Sequence, residues 1–236
     1  MIKDYKIIFF DMGNTLIDFH KGMKDKEKDI LGVKLLTKYI QKDCKNVIFS
    51  DVWNGFFLTW METIKDRKLK HIEYPIDPIM NLFLEKFDLY YSHEKCVKAI
   101  DEYYIPYFKM LEYEDDLEKT LRELKSRGYR LGVISNTCYF SETMEKCFKK
   151  ISIFDVFDNF TFSYSLGRGK PNSEIFLKAI EKMDCKAEEC IMVGDKIESD
   201  IIPAQKLGMK GILLDKNNKS QNKYFKIKCI SDLLKL

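Results

Sequence analysis

Proline and glycine are scarce in this 236-residue chain, five and eleven copies respectively. That argues against long disordered stretches. Nor does any apolar run reach the roughly 18 residues that a membrane-crossing helix needs. The first ten residues, MIKDYKIIFF, hold too short an apolar run for a secretory signal. The expectation is a protein that is neither exported nor embedded and works in the cytoplasm. Seven cysteines (Cys44, Cys96, Cys138, Cys147, Cys185, Cys190, Cys229) form no C-x-x-C pair and are odd in number. A disulfide framework or a structural zinc site is therefore not expected, and the thiols read as reduced. Net charge is also small: 40 Lys plus Arg against 37 Asp plus Glu leaves +3. No strong field draws the chain to nucleic acid or to an anionic membrane, so a small molecule is the expected ligand. Its three histidines, His20, His71 and His93, have no metal-ligating spacing and read as solvated surface groups. A monomer or homodimer is expected.

What the chain does have is a series of short runs rich in Ile, Val, Leu and Phe. They lie at Lys6 to Phe10, Arg130 to Ile134, Phe157 to Phe162, Cys190 to Val193 and Gly211 to Leu214. Runs that are apolar throughout, rather than alternating, suit strands buried on both faces of a parallel sheet. Helical patterns separate them. In DDLEKTLRELKSRG an apolar stripe of Leu117, Leu121 and Leu124 can start from a cap at Asp115 or Asp116 and stop at Gly128. From about Asp115 onward, strand and helix alternate, the pattern of a doubly wound, Rossmann-like α/β unit.

The interval from about Phe19 to Tyr107 breaks that alternation and reads as several helices inserted into the core. The expected division is residues 1–17 and 108–236 as the α/β core, with 18–107 as a helical insertion. Trp53, Phe56, Phe57 and Trp60, at i, i+3, i+4 and i+7, read as one packing face of a helix. Charges of alternating sign from Lys21 to Asp29 read as a solvated helix face. KNNKSQNK, Lys216 to Lys223, reads as a surface loop before a closing strand or helix.

In a doubly wound sheet, ligands sit at the carboxyl ends of the strands, where the winding reverses. Four strand ends or the loops after them carry polar groups. These are Asp11 in IIFFDMGNTLID, Ser135 with Asn136 in VISN, Lys170 in GRGKP, and Asp195 with Asp200 in VGDKIESD. A single acid there would be an ordinary turn former or helix cap. Four sites together point to chemistry.

These elements resemble, in order and interval, the haloacid dehalogenase-like hydrolase superfamily, most of whose members are magnesium-dependent phosphatases. That family's motifs are hhhhDxDGT, hhhS or hhhT, a later Lys, and GDxxxxD. Here they read FFDMGNT, VISN, GKP and GDKIESD, and KPNSEIF is similar to the KPxPxIF run around the family's Lys. The resemblance spans nearly the whole chain and implies a helical cap for the insertion. It implies that Asp11, a carboxylate at neutral pH with an ordinary pKa of about 3.9, attacks phosphorus to form an aspartyl-phosphate. It implies Mg²⁺ held by Asp11, Asp195 and a backbone carbonyl near Gly13, with Lys170 and Ser135 binding the phosphoryl oxygens beside Asn136. Asp200 would orient Lys170 or a metal-bound water from behind. Asp18 recurs where helical-cap members are often acidic.

Gly13 departs from the pattern. Phosphatases of this kind have a second Asp there, which protonates the leaving alkoxide and then activates water. Losing such a group typically costs about 10²- to 10⁴-fold in rate. Three readings follow. The first is a phosphatase for a small phosphorylated metabolite, its missing acid supplied by a cap residue, by the substrate, or made unnecessary by a leaving group that needs little protonation. The second is a dehalogenase- or phosphonatase-like hydrolase, since those also lack the second Asp. Dehalogenases need no Mg²⁺, so the retained acidic pair weighs against them, and Lys24, Lys26 and Lys28 offer no distinctive candidate for a phosphonatase Schiff base. The third is a catalytically weak member that binds a phosphorylated ligand or a protein partner. Phe19, His20, Tyr103, Tyr104 and Tyr107 lie near the junctions of core and insertion, where substrate would be selected.

Overall fold

The computed structural model describes residues 4–70, 72–217 and 224–236; His71 and most of the Lys216 to Lys223 run lie outside the described residues. Six strands form one parallel sheet: β1 (Ile7–Phe10), β2 (Arg130–Ser135), β3 (Asn159–Phe162), β4 (Cys190–Gly194), β5 (Lys210–Leu214) and β6 (Lys226–Ile227). Their order is β3-β2-β1-β4-β5-β6, so β1 is central, pairing with β2 on one side and β4 on the other.

The unbroken apolar runs follow from burial on two sides. Ile8 and Phe10 enter one core while Ile7 and Phe9 enter the other, and all four are at most 1% exposed. Each such side chain contributes about 1.5–3 kcal/mol on burial. Between β1 and β2 lie α1 (Asp25–Ile40), α2 (Phe49–Val52), α3 (Thr59–Lys70), α4 (Ile76–Glu85) and α5 (His93–Lys109). Helix α6 (Leu117–Ser126) leads into β2, and after β2 come α7 (Ser141–Lys150), α8 (Ser173–Lys182) and α9 (Ile202–Lys206). Leu121 and Leu124 of α6 and Phe148 of α7 cover one face of the sheet; Ile175 and Phe176 of α8 and Ala204 of α9 cover the other. No helix among the described residues is long and apolar enough to cross a membrane.

The segment between β1 and β2 is helical and adds no strand to the sheet. It leaves and re-enters side by side: Asp18 N–H donates to Glu112 O at 2.8 Å and Glu112 N–H to Asp18 O at 3.1 Å. Between α2 and α3, Trp53–Leu58 winds as a π-turn, so the regular helix expected there is locally widened. Phe56, Phe57 and Trp60 are nonetheless buried in the core, as a packing face requires.

Two local expectations fail. Lys28, placed on a solvated face, is fully buried; its ammonium donates to Phe19 O at 2.5 Å, lies 3.3 Å from Asp25 Oδ1, and sits over the Tyr107 ring. Helix α6 begins after Asp116, but that side chain makes no capping hydrogen bond. Gly128, at φ +92°, does end that helix, its N–H reaching Lys125 O at 2.9 Å.

Candidate active site

Asp11 follows β1 directly, and its N–H donates to Val193 O of β4 at 2.9 Å. It therefore stands at the sheet's switch point, flanked by Ser135 at the end of β2 and Asp195 just past β4. Lys170 arrives on the loop between β3 and α8, and Asp200 on the π-turn Ile197–Ile201. Groups nearly 190 residues apart in sequence thus meet at one crevice.

The Lys170 ammonium lies 2.6 Å from Asp11 Oδ1 and 2.7 Å from Asp200 Oδ1. Carboxylate oxygens of Asp11, Asp195 and Asp200 come within 4.8 Å of one another. Thr15, in the same turn as Asp11, donates its hydroxyl to Asp11 Oδ2 at 3.1 Å. Asn136, expected beside the phosphoryl group, commits its side-chain amide to the Lys170 backbone: Nδ2 donates to Lys170 O at 2.8 Å and Oδ1 accepts from Lys170 N at 2.7 Å. Asp200 Oδ2 accepts from Lys196 N–H at 3.0 Å, which fixes the acid against the end of β4. A Cβ at Gly194 would lie 2.5 Å from Asp200 Cγ, so the glycine before Asp195 makes room for this approach.

Three carboxylates face one buried ammonium, leaving the cluster at −2 when all are ionised. Burial, together with Asp200 and Asp195, outweighs the opposing pull of Lys170 and lifts the Asp11 pKa from 3.8 to about 6. Burial likewise raises Asp195, against the opposing charge of Lys196. Burial would lower Lys170, but Asp11 and Asp200 more than compensate and its pKa is raised. Asp195 Oδ1 is buried without a hydrogen-bond partner, and the Asp200 Oδ1 contact with Lys170 is an ion pair off hydrogen-bond alignment. Crowded, desolvated oxygens of this kind suit a hard divalent cation that takes oxygen ligands.

A stability consequence follows for the protein without a divalent cation. Because Asp11 titrates at about 6 when folded and near 3.8 otherwise, the unfolded chain loses this proton first, and the group's contribution falls as pH rises through that window. Asp11→Asn removes the effect. The variant's stability relative to the parent is expected to grow between about pH 4 and about pH 6 and to level off above, as read by urea unfolding in chelator at stepped pH.

At Gly13, an added Cβ would meet nothing within 4 Å, so the space where the family pattern has a second Asp is open. Its neighbour Asn14 takes φ +62°, the left-handed conformation that Asn tolerates better than most residues; the pattern has Gly at that position. Gly13, His20 and Ser135 line a cavity of 310 Å³ together with Phe19, Tyr104 and Tyr107. Four of the five junction residues singled out in the sequence therefore line this cavity and Tyr103 does not; the hydroxyls of Tyr103 and Tyr107 both donate to Asp29 Oδ1, at 2.6 and 2.7 Å.

Sequence reading did not nominate Thr15, although it lies inside the FFDMGNT motif, nor Arg67 and Glu73, for which no local signal exists. Arg67 Nη1 pairs with Glu73 Oε1 at 3.0 Å, and Glu73 Oε2 accepts from Ser163 Oγ at 2.7 Å. This pair ties the helical segment to the loop after β3. Arg67 also borders an adjoining cavity of 430 Å³ that reaches Lys170. Lys28 lines neither this cavity nor the 310 Å³ one.

Residues 5–208 match the family model described as haloacid dehalogenase-like hydrolase. The chain belongs to that hydrolase family. Among curated relatives of this haloacid dehalogenase-like hydrolase is glyceraldehyde 3-phosphate phosphatase of Pyrococcus furiosus. It is 28% identical over 207 residues, covering 88% of this chain and 79% of the relative. Two solved structures share the fold across 98% of the chain. One is a HAD phosphatase from Thermococcus onnurineus, with TM-score 0.63, 23% identity and 96% of that chain covered. The other is a 2-haloacid dehalogenase from Pseudomonas syringae pv. Tomato DC3000, with TM-score 0.64, 21% identity and 97% covered. The shared fold thus accommodates both chemistries, and the choice between them rests on the side chains in the crevice.

Proposed function

We propose that the protein is a magnesium-dependent phosphatase acting on a small phosphorylated metabolite through an aspartyl-phosphate at Asp11. The observation that carries the reading is the cluster itself: Lys170 pinned between Asp11 and Asp200, with Asp195 adding a third carboxylate. A dehalogenase acting without a cation would have no use for that uncompensated negative charge. The phosphatase named among the relatives supports the same choice.

In this reading Asp11 Oδ is the nucleophile, kept in place by the Thr15 hydroxyl. Lys170 and the Ser135 hydroxyl bind the phosphoryl oxygens as charge shifts toward the leaving group. Asp200 and the Asn136 amide position Lys170 from opposite ends, one at the ammonium and one at the backbone. Asp11, Asp195 and the Gly13 carbonyl would hold Mg²⁺, which when bound neutralises charge on the phosphoryl oxygens so that an anion can approach an anion. Residues 18–107 serve as a cap whose Phe19, Tyr104, Tyr107 and Arg67 face the leaving group and exclude water.

The deciding experiment is phosphate release from a panel of metabolite esters, glyceraldehyde 3-phosphate first, with Mg²⁺ and with chelator. Release that needs Mg²⁺ supports the proposal; none from any ester, with phosphate analogues still bound, favours a binding protein. Release from 2-haloacids of halide, without Mg²⁺, would establish the dehalogenase alternative. The open space at Gly13 adds a second expectation. A Cβ at position 13 meets no neighbour within 4 Å, and Gly13→Asp is expected to raise kcat for alkyl phosphates, by up to about 10²-fold. Steady-state assays on glycerol phosphate would measure the gain.

A further inference from the structure

The proposed hydrolysis needs a proton carrier that Gly13 does not supply, and the cavity at Asp11 offers one. That cavity, 160 Å³ in volume, is lined by Asp11, Gly13, Ser135, Lys170 and His20, among others. Of the side chains around it, His20 alone carries an imidazole, the group that most often serves as a general acid and base. Its ring is also held. Nδ1 lies 2.7 Å from Asp25 Oδ2, at the start of α1, and the His20 N–H donates to Asp18 Oδ1 at 2.8 Å. Burial would raise the Asp25 carboxyl, but hydrogen bonds and charge from His20 and Lys28 outweigh it and hold the group below its usual range. Asp25 is thus an acceptor, Nδ1 carries a proton, and Nε2 remains as the ring's available nitrogen.

We infer that His20, oriented by Asp25, is the general acid and base of this site, doing from the helical segment what the absent carboxylate at position 13 does in the family pattern. The inference rests on the phosphatase reading above. In the first step Asp11 bonds to phosphorus while the ester P–O bond breaks, and imidazolium Nε2–H passes its proton to the departing alkoxide. In the second, neutral Nε2 takes a proton from water as its oxygen bonds to phosphorus. The P–O bond to Asp11 then breaks, returning the carboxylate, inorganic phosphate and the imidazolium. Asp25 is a positioning residue, and the buried Lys28 ammonium beside it keeps its second oxygen engaged.

The His20 side chain is 61% exposed and its ion pair is a surface one, so His20→Gln is expected to fold as the parent does. First-turnover release from two esters tests the role. A poor leaving group, the alkoxide of glycerol phosphate, needs a proton; 4-nitrophenolate does not. His20→Gln should slow the glycerol phosphate reaction by about 10²- to 10⁴-fold. It should leave the first 4-nitrophenolate burst within about threefold of the parent, with the phosphoenzyme then accumulating because its hydrolysis has lost its base. Asp25→Asn should show a smaller loss confined to the same arm. Gly13→Asp should restore the glycerol phosphate rate more in the His20→Gln background than it raises it in the parent, a coupling that independent sites would not show. Equal slowing of both esters, or of neither, overturns the assignment while leaving the phosphatase reading intact. A parent that releases nothing from either ester overturns both.

Discussion

Asp11→Asn is expected to reduce phosphate release by about 10⁴-fold or more while the protein stays folded. An amide has the shape of the carboxylate but no anionic oxygen to bond to phosphorus. Asparagine can still accept from the Thr15 hydroxyl, and it removes one charge from a cluster that carries −2. The loss of rate cannot then be blamed on collapse of the crevice. Rapid-quench assays should find that the parent, denatured in mid-turnover, carries phosphate on Asp11, whereas the variant carries none. Retention of more than a few per cent of the parent rate by Asp11→Asn would remove the nucleophile and with it the covalent mechanism.

Lys170→Met should fail in two ways that can be measured apart. Removing a cation that bears on the transition state costs about 10²- to 10³-fold in kcat. Removing one partner of a buried ion pair costs about 3–5 kcal/mol, because Asp11 and Asp200 are then left facing each other with no countercharge. Urea unfolding in chelator should show that drop. Added Mg²⁺ should recover part of the stability, since it neutralises the same oxygens, yet recover little of the rate. If the variant is as stable as the parent without Mg²⁺, the ion pair is not what holds these carboxylates together.

Much of the fold was legible because its strands are buried on both faces, which removes polar alternation and leaves runs such as IIFF and CIMVG conspicuous. The end of each run was equally legible, since an acid or hydroxyl directly after four apolar residues is costly unless it has work at the sheet's edge. Asp11 and Ser135 stand out in that way, whereas Lys170, Asp195 and Asp200 lie in loops after other strands and stand out through the GKP and GDKIESD motifs. What stayed hidden depends on partners distant in sequence. Lys28 looks like any charge in an alternating run, and only the fold supplies the Phe19 carbonyl, Asp25 and Tyr107 that make its burial tolerable. Asn136 has the composition of a ligand contact, but its amide happens to face the Lys170 backbone. His20 with Asp25, and Arg67 with Glu73, are pairings of helical-segment residues that no periodicity announces. The π-turn at Trp53–Leu58, where the adjacent rings of Phe56 and Phe57 are both buried, was hidden as well.

The central place of β1 also bears on how the molecule assembles. Its two partners, β2 and β4, begin only at Arg130 and Cys190, so this greasy tetrapeptide leaves the ribosome long before either exists. It must wait unpaired through most of translation, a delay that slows maturation and invites sticking to other nascent chains. The acid proposed as nucleophile, Asp11, directly follows this late-pairing strand, so the crevice can take shape only after β2 and β4 have both been made.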